Sequence, residues 1–528
     1  MPEKNGKPVL GARLEVGLFA LIALVPFVVL LCKLSRYGLT FPYWDEWCLA
    51  PMIDSANSGQ LTFLDLWSQH NEHRPLFPRL LMIGLASLSR WRVAWELVAS
   101  VVMAIAYFGV LVRMGFRHSD SAHRPWALVP VLSFLVFSWS QMENWVWGWQ
   151  IEWFLGALCV VGGISLLSSG LPQWPAFFLA LCLGVVASLS MANGLLYWIA
   201  ALPVVLWGRI PRPGADAREA RQMLLIRILL WVALTLFILQ MYMLEYKKPA
   251  VSPSFSILWT SPKAFAEYVL LYLGSPVVAI FSTPLWHGPE PPAPVWSQFI
   301  PGLMGCAALV FLSLRLFLKG GRVRYEIMPW LSLAAYAVGG GLLTGMGRAG
   351  LGAGHGLTSR YIGVSLLFWC ALAGLSTLWA RETIGTTCSL GRKAAGRFLL
   401  VALVLLGTWG AATRNGKWED LARWKKMGWE AICYGFEDPL YLQDLCWDPE
   451  QLRQTFLPIM KQYGLCGMGT PPNPGRAAAY LAEVPGFLKR GQFKPAQVYT
   501  KAAEFLDPSC PGLPEMQQRI QAELGGSR

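Results

Sequence analysis

Charge is scarce in this 528-residue chain: Asp, Glu, Lys and Arg make up 14% of it, where a soluble globular protein carries about a quarter. That scarcity argues against a set of soluble domains. Paired cysteines at metal or redox spacing are also missing. No C-x-x-C occurs among the 11 cysteines, which excludes a zinc ribbon and a thioredoxin-type site. The zincin pattern H-E-x-x-H is absent, and His70-Asn71-Glu72-His73 does not match it. The glycines of 347–356 fit neither the dinucleotide fingerprint nor the P-loop. No long basic face or nucleic-acid motif appears, so no nucleic-acid partner is expected. The first apolar run, Leu14 to Leu31, lacks the small residues of a cleavage site before Lys33. It reads as an uncleaved first helix with a cytoplasmic N-terminus.

What is abundant is apolar surface. Hydrophobic residues make up 55%, mean hydropathy is +0.43, and there are 26 tryptophans, whose indoles favour the membrane interface. Apolar runs near the length of a bilayer crossing predict an all-α, polytopic bundle of about 11 spans with interfacial helices. The expected spans are 14–34, 91–112, 125–140, 149–169, 174–190, 192–208, 223–243, 294–318, 326–344, 361–380 and 397–412. From Arg414 onward 14 Lys/Arg face 13 Asp/Glu, so the net charge of +13 belongs almost wholly to the apolar part. Its basic loops orient the spans: Arg113, Arg117 and Arg124; Arg209, Arg212, Arg218 and Arg221; Lys319, Arg322 and Arg324; Arg381, Arg392, Lys393 and Arg397. All fall on the cytoplasmic side if the N-terminus is inside. Arg90 and Arg92 run against that pattern.

Residues 264–283 are apolar enough to cross, yet a full crossing would put two basic loops outside. The expectation is a re-entrant or interfacial helix, broken at Gly274-Ser275-Pro276. The chain then divides into a transmembrane domain, 1–412, with a first outer loop at 35–90, and a small helical extracytoplasmic tail, 413–528. Gly341 and Gly345 form a G-x-x-x-G spacing that lets helices approach closely. Cys433, Cys446, Cys466 and Cys510 lie in the tail, where one or two disulfides could form in an oxidising compartment.

The polar residues concentrate in four outward loops. In the first, Trp44-Asp45-Glu46-Trp47 sets two carboxylates among aromatics close to the membrane, where burial raises a carboxylate toward general-base strength. The same loop continues Gln69-His70-Asn71-Glu72-His73-Arg74-Pro75-Leu76-Phe77-Pro78-Arg79, with guanidiniums suited to phosphate oxygens. Leu76 to Leu88 reads as an amphipathic surface helix. A second cluster, Gly347-Arg348 through His355-Gly356 to Ser359-Arg360-Tyr361, combines glycine backbone with two cations. Gln141, Glu143, Asn144, Trp145, Trp147, Trp149, Gln150 and Glu152 form a third turn. Ala192-Asn193-Gly194 forms a fourth, and its amide, like the third turn's acids and amides, suits sugar hydroxyls. Each segment also reads as an ordinary interfacial turn; their convergence on one face is the functional signal.

Taken in order, Trp44-Asp45-Glu46, His73-Arg74-Pro75-Leu76, Glu143-Asn144-Trp145, Ala192-Asn193-Gly194 and Ser359-Arg360-Tyr361 resemble the GT-C superfamily of membrane glycosyltransferases. The resemblance spans roughly 10–466 and, more narrowly, is to a group of uncharacterised bacterial GT-C-like proteins. It implies inverting transfer of a monosaccharide from a polyprenyl-phosphate donor to a glycolipid, surface polysaccharide or protein, at a bacterial inner membrane with the C-terminus periplasmic. Asp45 or Glu46 would be the general base. His73, Arg74, Arg348 and Arg360 would bind the donor phosphate. Trp44, His70, Glu72, Glu143, Asn144, Asn193, His355 and Tyr361 would bind substrate. No cofactor is required, although some members of the superfamily place a divalent metal beside the acidic loop. A transporter or flippase for lipid-linked sugars, or a non-catalytic assembly subunit, remains the alternative; inverted repeats and midplane charges would favour a transporter.

Overall fold

A computed structural model describes residues 7–117, 119, 124–207, 216–249, 256–282, 294–384, 390–413 and 418–525. The described residues are helical, and their one β pairing is an isolated bridge between His70 and His73. The first helix, α1 (Lys7–Tyr37), leads into a loop carrying α2 (Leu49–Asn57), α3 (Phe63–Trp67) and α4 (Leu76–Ser89). Then come α5 (Ala94–Phe116), α6 (Leu128–Val136), α7 (Met142–Val146), α8 (Ile151–Leu167), α9 (Gln173–Ser188), α10 (Tyr197–Ala200), α11 (Leu202–Trp207) and α12 (Ala217–Met243). The bundle is completed by α13 (Ile257–Thr260), α14 (Pro262–Phe281), α15 (Ile300–Lys319), α16 (Gly321–Arg348), α17 (Ser359–Ile384) and α18 (Leu390–Thr413).

Among the described residues, eight helices are long and apolar enough to cross a membrane. Only 11% of the most apolar stretch of α12 and 22% of that of α1 are buried within the protein. Such apolar surfaces, carrying no more than two charged residues in each stretch, call for a hydrocarbon solvent, and helices satisfy their own backbone groups there. The expected crossings 125–140, 174–190, 192–208 and 397–412 are not among the eight; α6 has nine residues and 192–207 is split into short pieces. The irregular backbone of 137–151 is buried throughout. Non-helical backbone at depth is tolerated when protein, not lipid, surrounds it.

Contacts sort the connections into two faces. On one, Glu72 of the first loop meets Arg348 at the end of α16 (2.9 Å), and Leu39 N–H donates to Val146 O (2.9 Å). Ala192 N–H donates to His73 Nδ1 (2.9 Å), and Arg74 Nε to Tyr242 O at the end of α12 (2.8 Å). On the opposite face Arg117 reaches Ser165 O (3.0 Å), Lys319 reaches Glu382 (3.8 Å), and Arg322 and Arg381 both reach Glu326. The basic groups at Arg117, Lys319, Arg322 and Arg381 therefore share the face away from Asp45. Arg209 and Arg212, and the side chains of Arg392, Lys393 and Arg397, lie outside the described residues.

This division settles the path of α14. The chain leaves α12 on the Asp45 face, and α15 ends on the opposite face at Lys319. The neighbours of α14 lie near the Asp45 end of the bundle or no deeper than its middle: Gly302, Gly340, Gly341, Gly345, Ser365, Trp369 and Gly410. It packs across that half despite a length sufficient to cross. The expected break at Gly274-Ser275-Pro276 does not occur; the helix is continuous, with Pro276 inside it. The missing proline N–H would have served Tyr272 O, and the Ser275 hydroxyl donates to that carbonyl instead (2.7 Å). A Cβ at Gly302 would lie 2.0 Å from Leu270 O, so glycine there lets α14 and α15 cross in backbone contact. Gly341 and Gly345 act likewise: added carbons would sit 3.0 Å from the Tyr272 and Phe265 rings.

The tail comprises α19 (Trp418–Cys433), α20 (Pro439–Leu445), α21 (Pro449–Gln451), α22 (Leu457–Tyr463), α23 (Ala477–Lys489), α24 (Phe493–Leu506) and α25 (Leu513–Gly525). Its four cysteines are free thiols in the structure. It packs on the first loop. Trp47 donates to Leu445 O (3.1 Å) and stacks on Phe456 at 6.1 Å, while Phe41 stacks on Trp429 at 5.4 Å. Tyr463 Oη donates to Asp54 Oδ1 (2.7 Å). The tail thus lies on the same face as Asp45.

Candidate active site

The site begins at a tight 3₁₀ turn, Trp44–Cys48, entered through a left-handed residue, Trp44 (φ 48°). The turn points its two carboxylates apart. Asp45 faces a cavity of about 330 Å³, and its side chain is 28% exposed. Glu46 turns inward and is fully buried. Its Oε2 accepts from Tyr43 N–H (3.3 Å), closing the turn. A Cβ on Gly148 would lie 2.4 Å from Glu96 Oε2 and 2.6 Å from Glu46 Oε1, so both acids converge over this glycine. Burial first, then the facing Glu96 carboxyl, pushes Glu46 well above the usual carboxylate range. Two acids enclosed in this way can share one proton. Glu46 is thus a packing element behind the cavity, and of the predicted pair only Asp45 lines it.

Residues 69–74 form the next wall. His70 and His73 exchange backbone hydrogen bonds of 2.9 and 2.8 Å across a turn whose Asn71 is left-handed (φ 49°). The two imidazoles differ in state. His73 Nδ1 accepts from Ala192 N–H (2.9 Å), and burial above all holds it neutral, down to about 4. The His70 ring lies tilted against Trp149, centroids 4.7 Å apart, with Nε2 3.7 Å from Asp45 Oδ1. Burial alone would lower His70; Asp45 and the Cys48 sulfur outweigh it and raise the imidazole to about 10. Arg74 points away. Its Nε and one Nη take the carbonyls of Tyr242 and Leu244 at the end of α12, and its other Nη takes Trp67 O (3.1 Å). A cation capping helix-terminal carbonyls fastens loop to bundle.

The far wall comes from α16 and α17. Arg348 is ion-paired with Glu72 (2.9 Å). Arg360 contacts Tyr361, hydroxyl at 3.2 Å and ring at 5.0 Å. Its Nε is buried with no hydrogen-bond partner, and among the described residues no carboxylate lies within ion-pair distance of it. Behind it, Asn144 Nδ2 donates to Arg360 O (3.0 Å), and Ser359 Oγ to Glu143 Oε2 (3.0 Å). Glu143 and Asn144 therefore hold the start of α17 in place.

The structure gathers Asp45, His70, Glu72, His73, Asn193, Arg348, Arg360 and Tyr361 around one cavity. Trp44, Glu46, Arg74, Glu143, Asn144 and His355 do not line it. Tyr242, Tyr246, Lys248 and Thr344 do, and the sequence signalled none of them, because they follow or end apolar spans as interfacial residues do. Trp147, Trp149, Gln150 and Glu152 of the third outward turn also line it. Among the described residues no three His, Cys, Asp or Glu side chains are gathered around a common point.

No family model and no curated protein matches the chain. Among solved structures it is similar to the crystal structure of ArnT from Cupriavidus metallidurans bound to undecaprenyl phosphate, at 14% identity and a TM-score of 0.41, over 79% of this chain and 80% of that one.

Proposed function

We propose that the chain is a membrane glycosyltransferase of the GT-C kind, moving a monosaccharide from a polyprenyl phosphate to an acceptor hydroxyl on the Asp45 face. The observation that carries this reading is one cavity lined both by a partly accessible carboxylate, Asp45, and by a guanidinium, Arg360, which has no carboxylate within ion-pair distance among the described residues. Transfer from a lipid phosphate needs both. Asp45 takes the proton of the acceptor hydroxyl as its oxygen bonds to the anomeric carbon. The bond from that carbon to the phosphate oxygen breaks, and polyprenyl phosphate leaves with the electron pair and one more negative charge. Arg360, with Arg348 beside it, stabilises that growing charge. Attack opposite the leaving group inverts the anomeric centre. Trp149, Trp153 and Tyr361 supply faces for a sugar ring, and Asn193 an amide for its hydroxyls. The volume suits a sugar phosphate, since small-molecule sites begin at about 300 Å³. No metal takes part in this scheme.

The basic groups on the opposite face support a cytoplasmic assignment for it, which makes the Asp45 face and the tail periplasmic in a bacterial inner membrane. A reporter fused to the C-terminus is expected to read periplasmic. The activity is tested by the mass spectra of glycolipids and surface glycans from a deletion strain complemented with wild type or Asp45→Asn at equal membrane abundance. One sugar-sized increment should vanish with the variant while its polyprenyl-phosphate donor accumulates. Identical spectra from strains whose deletion alters the glycan would move a transporter or scaffold ahead.

A further inference from the structure

The pair formed by His70 and Asp45 is not required by the transfer scheme. His70 lines the cavity, but its geometry is turned toward the carboxylate. The backbone exchange with His73 fixes where its ring starts, and Trp149, at 4.7 Å, limits how it can turn. Nε2 then sits 3.7 Å from Asp45 Oδ1 and has no hydrogen-bond partner. The other charged and titratable groups around this corner are Cys48 on the same loop, His73 across the hairpin, Glu152 on α8 and Arg360 on α17.

From this geometry we infer that His70 is a fixed cationic partner of Asp45, a positioning residue that aims the carboxylate into the cavity and holds it as the anion, not a contact for the sugar. The raised proton affinity of the imidazole agrees with this placement. His73 supplies the internal contrast. It sits on the same hairpin, yet it accepts a backbone N–H and so keeps Nδ1 free of a proton. One short turn thereby carries a charged and a neutral histidine. A protonated His70 cannot be the base. It shields the negative charge of Asp45 until the acceptor proton arrives, when the pair becomes imidazolium beside a neutral acid.

The activity arm of the test rests on the transferase reading; the charge arm does not. Purified full-length protein with ¹⁵N-labelled histidine is titrated by NMR, with His70 assigned through His70→Gln. His70 should keep imidazolium shifts past pH 8 in the wild type and titrate near its ordinary value of about 6.5 in Asp45→Asn. Titration near 6.5 in the wild type, or an unchanged charge state in Asp45→Asn, overturns the inference whether or not the protein transfers sugar. In sugar transfer, loss of the facing cation should raise the acidic limb of kcat/KM in His70→Gln by about one pH unit or more. His70→Lys, which restores a cation, should return the limb toward wild type. A limb that stays in place in His70→Gln while the rate falls would make His70 a structural or substrate-contact residue. If His70 is charged and coupled to Asp45 but no donor lipid is consumed, the pair stands and the transferase reading fails.

Discussion

The cavity wall and the layer directly behind it treat adjacent residues in opposite ways. Asp45 and Glu46 are neighbours, yet one 3₁₀ turn sends the first into a solvent-accessible cavity beside His70 and the second into a sealed contact with Glu96 over Gly148. The pair Arg360 and Arg74 repeats the contrast. Arg360 faces the cavity with Tyr361 beside it, whereas Arg74 spends its donors on carbonyls. A residue type suited to chemistry thus becomes a reagent or a fastener according to what its backbone turns it toward. A buried polar group that already has its partners stabilises the fold; one aimed into a cavity without them is available to a ligand.

The sharpest way to break this comparison is at Asp45. Asp45→Asn should lower the rate of sugar transfer by about 10²–10⁴-fold while leaving the melting temperature near wild type, because the change removes a general base from an accessible position. Comparable loss of folding would show that Asp45, like Glu46, is a fastener. Arg360→Gln comes next. It should lower turnover by about 10²–10³-fold, the scale of losing one charge-stabilising donor, and weaken binding of polyprenyl phosphate to purified protein. Undiminished lipid binding would remove Arg360 from the phosphate site.

The layer behind should answer in stability. Gly148→Ala places a carbon 2.4 Å from Glu96 Oε2 and 2.6 Å from Glu46 Oε1, so the two acids must separate. The expected cost is about 1–3 kcal/mol, read as a lower melting temperature in detergent. An unchanged melting temperature would mean the acids have room to part. The smallest effect is expected at Glu46→Gln, in the pH dependence of stability. Glu46 binds its proton more tightly folded than unfolded, so its contribution is full below the ordinary carboxylate value and is lost as pH rises through the elevated folded value. Melting temperature should therefore decline with rising pH above about 4.5 in the wild type. The decline should be flatter in Glu46→Gln, which has no proton to lose; equal slopes would assign the dependence to other groups.

Much of this architecture is legible in the amino-acid sequence. The helical class follows from apolar runs that can satisfy their backbone only within themselves. Eight residues around the cavity stand out because each interrupts an apolar chain where ionisable or amide groups are expensive. The packing of 264–281 within the Asp45 half agrees with the positions of the basic loops, whereas the expected break at Pro276 does not occur, since a neighbouring hydroxyl serves the orphaned carbonyl. The residues that lie off the cavity are not separable by type. Nothing in Asp-Glu tells which acid turns inward, and nothing in Arg74 foretells that the end of α12 will present carbonyls to it. Tyr242 and Tyr246 escape notice for the converse reason: an aromatic at the end of a span is what lipid interfaces favour in any case.

Sequence by itself determined that this chain is a bundle of membrane helices with its polar chemistry gathered at one end. Those properties depend on composition and periodicity, and each segment expresses them on its own. Only the tertiary structure decided which residues meet: that Asp45 faces Arg360 across residues more than 300 positions apart, that Glu46 lies over Gly148, and that the tail braces Trp47 through Leu445 and Phe456. Each of those pairings joins segments distant in sequence, and which groups end as partners is set by how the helices pack and where each turn points its side chains.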